Sequence, residues 1–307
     1  MEKRLGEVMK ILPVRFRGEL MQQQTLLKKI QEIRIRMGKP VYILTSEEEM
    51  VLTFHTTNSK VEASDIREMI EYISGYSMYA CEEELRNGFL TLKGGHRVGI
   101  AGEVVLEQGN IKTMKNIASF NIRISRQVKG CADRLMSYTG GNMLLISPPR
   151  MGKTTLLRDL LRQIGERPGE NVGIVDERSE IAACYRGVPT NDLGTRVDIL
   201  DGCPKAEGML MLLRSMSPTV IGVDELGKQE DVEAVLRVIN CGVRVIATVH
   251  GEDLKEIRKK QVFQHLFSEQ VFHTYVVLQK EQIEIWNKNF EMEERVSRKI
   301  RGEDEDR

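Results

Sequence analysis

The sequence predicts an α/β protein in two parts, an N-terminal α+β domain followed by a phosphate-loop domain with a mainly parallel sheet. Three observations carry that expectation. The chain has 307 residues, enough for two domains of roughly 150 residues each. Residues 142–164, NMLLISPPRMGKTTLLRDLLRQI, set a Gly-Lys-Thr loop between a short apolar run and a helical stretch, the context in which such a loop cradles phosphates. Apolar runs at 142–146, 172–175, 219–223 and 243–249 alternate with helical stretches, the pattern of parallel strands with helices on their faces. The expected boundaries are 1–135 and 136–290, with a charged tail over 291–307 that frays.

In the first domain, Leu5, Val8, Met9, Ile11 and Leu12 recur at helical spacing and open the chain with an amphipathic helix. Residues 30–44, IQEIRIRMGKPVYIL, alternate around Ile33 and Ile35, turn at Gly38-Lys39-Pro40 and resume as an apolar strand, which makes a hairpin. Behind Ser64, a candidate N-cap, Ile66, Met69, Ile70 and Ile73 define a helix that ends near Gly75. Residues 85–105 are glycine-rich with short β-type runs, and 122–125 add a strand. Gly140-Gly141 then breaks the chain before the loop strand.

The loop Ser147-Pro148-Pro149-Arg150-Met151-Gly152-Lys153-Thr154 matches G-x-x-x-x-G-K-[ST] except that serine stands first, a mild change because serine is small. Gly152 lets the backbone approach the phosphates, and Thr155 continues into a helix whose N-terminal end is positive. Lys153 reaches the β and γ phosphates, and the Thr154 hydroxyl suits Mg²⁺. The expected ligand is therefore ATP with Mg²⁺. As a side chain serving a ligand, Lys153 is expected to contribute little to the fold.

Thr219-Val220-Ile221-Gly222-Val223-Asp224-Glu225 is an apolar strand that ends in two carboxylates, at the C-terminal strand edge where ligands of open α/β sheets collect. Asp224 suits the metal's water shell and Glu225 suits polarising water. After 172–175 comes a second acidic cluster, Asp176-Glu177-Arg178-Ser179-Glu180, which taken alone reads as an exposed charged turn. Residues 243–249 end at His250-Gly251, a third strand that delivers a polar residue to the same edge.

Composition sets the outer limits. A hydrophobic fraction of 41% and a charged fraction of 29% describe an ordinary globular chain. Lysine plus arginine equals aspartate plus glutamate at 45 each, so no bulk field draws in nucleic acid or an anionic membrane. Cys81, Cys131, Cys184, Cys203 and Cys241 are scattered without a C-x-x-C pair, which suits a reducing compartment. The N-terminus is interrupted by charge and no apolar run approaches ~18 residues. A cytoplasmic protein with peripheral membrane contact is expected.

Taken in order, the phosphate loop, the acidic box, the carboxylate after LRSMSPTVIGVDE and the T-x-H strand end resemble the secretion ATPases, the ring-forming motors of type II and type IV secretion and pilus machines. Within that group, IQEIRIRMGKP, YACEEELRNGFLTLKGGHRVGIAGE, VDERSEIAACYRGVP, LDGCPKAEGMLMLLRSMSP and ATVHG resemble the stage III sporulation protein AA family over nearly the whole chain. The resemblance implies a RecA-like ATPase core over 136–290 and a homo-hexameric ring. It also implies a mother-cell role in energising a channel or export complex around the forespore, with the membrane reached through that complex's membrane proteins. It places the acidic box on Asp176, Glu177 and Glu180, with Glu180 at a position often assigned to water activation. Glu225 matches the strand carboxylate, and His250 the histidine that senses the γ phosphate. The wider group usually has glycine where this chain has Asp224, so the Mg²⁺ role of Asp224 rests on the phosphate-loop argument. In ring motors a neighbour's arginines often complete the pocket. Arg97 in GGHRVGIAG and Arg123 in NIRISR are the candidates, each equally readable as a structural salt bridge. Residues 147–250 show no obvious cationic finger of their own beyond Lys153.

Two alternatives share these features. One is a nucleotide-gated assembly scaffold with little hydrolysis, against which Glu180 and Glu225 favour an ATPase. The other is a nucleic-acid translocase, against which stand zero net charge and only 5% aromatic residues for base stacking.

Overall fold

A computed structural model describes residues 2–45, 48–54, 59–74, 86, 88–125, 127–149, 151–185 and 187–297. The chain divides into two compact units, Met1–Arg126 and Gln127–Arg307.

The first unit opens with helices Glu2–Ile11, Val14–Gln22 and Gln24–Lys29. Pro13 separates the first two and its carbonyl accepts the Arg17 N–H at 3.0 Å. The sheet contains β1 (Glu32–Arg36), β2 (Tyr42–Leu44), β3 (Glu49–Val51), β4 (Phe89–Thr91), β5 (Arg97–Glu107) and β6 (Asn110–Arg123). Its order is β3-β2-β1-β6-β5-β4 and its paired neighbours are antiparallel. The β1–β2 hairpin has the expected register, with Ile33 opposite Ile43. Helix Ala63–Ser74 contributes Ile66 and Met69 to a core shared with Val8, Leu12, Phe16, Leu20, Ile33 and Ile35. Ser64 is not the cap, because the helix already begins at Ala63. Asp65 does that work instead: Oδ2 accepts the Glu62 N–H at 2.6 Å and Oδ1 accepts Arg15 Nε at 2.7 Å. Gly75, the expected end, lies outside the described residues.

The second unit holds a sheet ordered β14-β13-β12-β7-β11-β10-β8-β9. Its strands are β7 (Met143–Ser147), β8 (Val172–Asp176), β9 (Val197–Asp201), β10 (Val220–Val223), β11 (Arg244–His250), β12 (Thr274–Leu278), β13 (Gln282–Asn287) and β14 (Met292–Ser297). From β12 to β9 every pair is parallel, and β13 and β14 add an antiparallel edge. Alternation along β7 sends Met143 and Leu145 into a core with Leu157, Leu160, Leu161 and Ile164 of helix Lys153–Gly165. Leu144 and Ile146 enter a second core with Val232, Val235 and Val238 of helix Gln229–Asn240 and with Met209 and Leu212 of helix Lys205–Ser215. Gly222 lets the loop helix sit close on β10, since a Cβ there would lie 2.2 Å from Leu161 Cδ1. Such a carbon would overpack the core.

Two boundaries differ from those read in the sequence. The units divide at 126/127 and not at 135, because the segment before β7 packs into the core that holds Met143 and Leu145. Ala132 and Leu135 are buried there, and the Ala132 N–H donates to Asp159 Oδ2 at 3.0 Å. The charged tail also begins as structure: Met292–Ser297 forms β14, with Val296 9% exposed and Arg295 paired to Glu284 at 2.8 Å across the strands. Residues 298–307 lie outside the described residues. Among the described residues, no helix is long and apolar enough to cross a membrane.

Candidate active site

Ser147 leaves β7 fully buried. Its hydroxyl donates to the Pro148 carbonyl at 2.8 Å, and its own carbonyl accepts the Gly251 N–H at 3.2 Å, which ties the start of the Gly-Lys-Thr loop to the end of β11. Pro148 and Pro149 follow, and Arg150 lies outside the described residues. Met151 and Thr155 are half-buried on either side of the turn. Gly152 has φ 84°, a conformation glycine adopts without steric cost. From there helix Lys153–Gly165 presents its N-terminal N–H groups and the positive end of its dipole.

Lys153 differs from the expectation of a ligand-only side chain. It is 4% exposed, and its Nζ lies 3.1 Å from Asp224 Oδ1 and 3.5 Å from Glu225 Oε1, so it neutralises two inward carboxylates. The Thr154 hydroxyl donates to Asp224 Oδ2 at 2.6 Å. Thr248, on β11, donates its hydroxyl to Asp224 Oδ1 and accepts the Glu225 N–H at 2.8 Å. Burial pushes the Asp224 carboxyl upward, but Lys153, Thr154 and Thr248 outweigh it and hold the group below the usual carboxylate range.

Glu225 takes φ 57°, a left-handed conformation that costs a non-glycine residue about 1–3 kcal/mol. Thr248 holds it there through both its hydroxyl and its carbonyl, which accepts the Leu226 N–H at 2.8 Å. Glu225 Oε1 lies 2.7 Å from His250 Nε2, and Oε2 accepts Arg178 Nη1 at 2.6 Å. Burial raises this carboxyl, but His250, Lys153 and Arg178 together leave it lowered. Lys260 Nζ donates to the His250 carbonyl at 2.9 Å. Among the described residues His250 Nδ1 is buried without a hydrogen-bond partner.

Two members of the acidic box are engaged by the protein itself. Asp176 Oδ1 accepts the Glu180 N–H at 2.9 Å, and Oδ2 accepts Ile181 at 2.9 Å and Ala182 at 2.8 Å. Its carboxylate is thus occupied in folding the loop, and burial pushes its pKa up to about 6 despite those donors. Glu177 turns to Lys205, a buried residue of the neighbouring helix. Glu180 remains on the loop that Asp176 shapes, and its carbonyl accepts the Arg158 guanidinium.

Sequence reasoning missed Thr248 and Arg178. The first stood in view as the threonine of T-x-H. The second was hidden in an acidic run that read as a solvated turn, and it sets a guanidinium on Glu225 where no obvious cationic finger beyond Lys153 was expected. Arg97 and Arg123 belong to the first unit, directly opposite one another across β5 and β6, with the Arg97 guanidinium 4.1 Å from the centre of the Phe89 ring.

A family model described as Sporulation stage III, protein AA matches residues 1–286. The chain is 43% identical over 288 residues to Stage III sporulation protein AA of Bacillus subtilis (strain 168), covering 90% of this chain and 91% of that one. Among solved structures, the Legionella pneumophila ATPase DotB superposes with a TM-score of 0.60 at 16% identity, over 93% of this chain and 79% of that one. The pilus retraction motor PilT with bound ADP superposes with a TM-score of 0.59 at 14% identity, over 87% of this chain and 78% of that one. At such identities these two share the fold, which is the expected α/β fold of the RecA-like secretion ATPases with a mainly parallel sheet. Matched along most of its length by the family model and by the Bacillus subtilis relative, the chain belongs to the Sporulation stage III, protein AA family.

Proposed function

We propose that this protein binds ATP with Mg²⁺ at residues 147–155 and hydrolyses it to ADP and phosphate, energising assembly or export by a sporulation complex. The observation that carries this reading is the interlock of Lys153, Thr154, Asp224 and Thr248 at the C-terminal edge of a parallel sheet. The donor set fits the group it would hold. Gly152 and the helix N-terminus suit phosphate oxygens, the ammonium suits their charge, and a hydroxyl beside a carboxylate offers the hard oxygens that Mg²⁺ prefers. When bound, Mg²⁺ neutralises charge that develops on the phosphates. Lys153 would bind the β and γ phosphates, and Thr154 and Asp224 would orient the metal. Glu225 or Glu180 would accept a proton as the oxygen of water bonds to the γ phosphorus and the bond to the ADP oxygen breaks. His250, in contact with Glu225, would report the γ phosphate.

The family description supports a sporulation role, and the names of DotB and PilT, an ATPase and a motor with bound ADP, support nucleotide chemistry. In this reading the protein works as a homo-hexamer in the mother-cell cytoplasm, held at the membrane facing the forespore by membrane proteins of its complex. Arg97 and Arg123 are the cations one subunit would lend to the next. Their pairing across β5 and β6 supports a joint role, because it sets the two basic residues side by side in the sheet. A scaffold with slow turnover draws support from Glu225, both of whose oxygens are engaged.

The test is ATP turnover per subunit as a function of protein concentration. Turnover should rise as rings form. Subunits carrying whichever of Glu225→Gln and Glu180→Gln loses turnover, which can still lend arginines, mixed with Arg97→Ala/Arg123→Ala subunits should regain activity that neither has alone. A shared arginine can contribute roughly 10³ to 10⁵ in rate. Verified mixed oligomers that stay inactive, or a monomer at full rate, would remove the shared pocket. ATP-dependent ring formation without phosphate release would favour the scaffold.

A further inference from the structure

Arg178 stands in the loop after β8, yet its Nη1 donates to Glu225 Oε2 at 2.6 Å while Lys153 Nζ stands 3.5 Å from Oε1 of the same carboxylate. Two cations therefore touch one carboxylate, which brings the guanidinium to within a single carboxylate of the phosphate-loop ammonium. Their settings differ sharply. The Lys153 side chain is 5% exposed and the Arg178 side chain 63%.

The root of Arg178 is held in place. Asp176 gathers the Glu180, Ile181 and Ala182 N–H groups, and Ser179 sits at φ 53° with its hydroxyl on Asp201 at 2.7 Å. An exposed ion pair contributes little and exchanges its partner at small cost. A guanidinium matches phosphate oxygens with two parallel hydrogen bonds. A triphosphate seated on Lys153 would bring a denser anion to Arg178 than the carboxylate it now holds.

We infer that Arg178 is a sensor of the third phosphate acting within its own subunit: it leaves Glu225 for a nucleoside triphosphate and keeps Glu225 when a diphosphate is bound. This rests on the nucleotide site proposed above. It makes Glu225 Oε2 available to a water proton only in the triphosphate state, so hydrolysis and nucleotide state are coupled through one side chain.

The experiment is calorimetric binding of Mg-ATPγS and Mg-ADP to the full chain, in the wild type, Arg178→Ala, Arg178→Lys, Glu225→Gln and the Arg178→Ala/Glu225→Gln double variant. Loss of one charge-assisted contact should cut the preference for triphosphate over diphosphate about tenfold in Arg178→Ala, with ADP affinity unchanged. Arg178→Lys should restore part of it. Glu225→Gln releases the guanidinium and should tighten ATPγS more strongly when Arg178 is present than when it is alanine. An unchanged triphosphate preference, or strictly additive effects in the double variant, overturns the sensor. A wild type that binds neither nucleotide overturns the site itself, whereas one that binds both with the same triphosphate preference in every variant removes the sensor alone.

Discussion

Thr154 donates its hydroxyl to Asp224 Oδ2 at 2.6 Å, joining residues 70 positions apart. The first turn of the loop helix and the end of β10 are thereby fixed to each other before any ligand is considered. Thr154→Val removes the hydroxyl at nearly constant shape, while Asp224 keeps Lys153 and Thr248. The fold should stay intact and Mg²⁺-dependent ATP binding should weaken about tenfold. Titrations with Mg²⁺ and with chelator provide the check, and an undiminished response to Mg²⁺ would count against this pair as the metal's ligands.

Lys153→Ala should abolish ATP binding and also destabilise the second unit. Its ammonium is the cation between Asp224 and Glu225, and removing one partner of a buried ion pair costs about 3–5 kcal/mol. Urea denaturation followed by circular dichroism should show a lower midpoint. An unchanged midpoint would mean that the two carboxylates are satisfied without the lysine.

Glu225→Gln and Glu180→Gln should still bind ATP, since each keeps the shape of its side chain. The change that removes the proton acceptor should slow turnover by about 10²-fold or more. Phosphate release under saturating ATP decides between them. Normal rates in both would place the acceptor elsewhere.

Asp176 should leave a signature in stability against pH. Burial raises its folded pKa to about 6, whereas an unfolded aspartate titrates near ~3.9. Between about pH 4 and pH 6 this carboxyl holds more proton in the folded state than in the unfolded one, so its contribution to stability falls as pH rises through that window and levels off above it. The loss is at most about 3 kcal/mol. Asp176→Asn should remove this slope. Urea midpoints of both proteins from pH 4 to pH 8 test it, and a difference that stays flat across the window would mean that Asp176 ionises normally.

Much of the fold was legible because its signals are local. The apolar runs became β7, β8, β10 and β11 nearly to the residue, and the hairpin register of Ile33 and Ile43 followed from alternation about a Gly-Lys-Pro turn. The edge strands were harder. β9 has no fully buried residue, and β14 is charged at three of its six positions with Val296 as its buried anchor. Neither carries the apolar run that marks a central strand.

The sequence by itself determined the Gly-Lys-Thr loop between strand and helix, the carboxylates at the end of β10, the histidine at the end of β11 and the alternation that builds a parallel sheet. Each is written in contiguous residues whose backbone period or motif is a local property. Only the tertiary structure decided what those groups touch: Thr248 bridging Asp224 and Glu225, Arg178 on Glu225, Asp176 turned into its own loop, Glu177 on Lys205, and Lys153 buried between carboxylates. These partners lie from 4 to 72 positions apart, and most come from different elements. They meet because the order β7-β11-β10-β8 brings separate strand ends to one edge, and that order is set by the packing of both sheet faces, which no local period encodes.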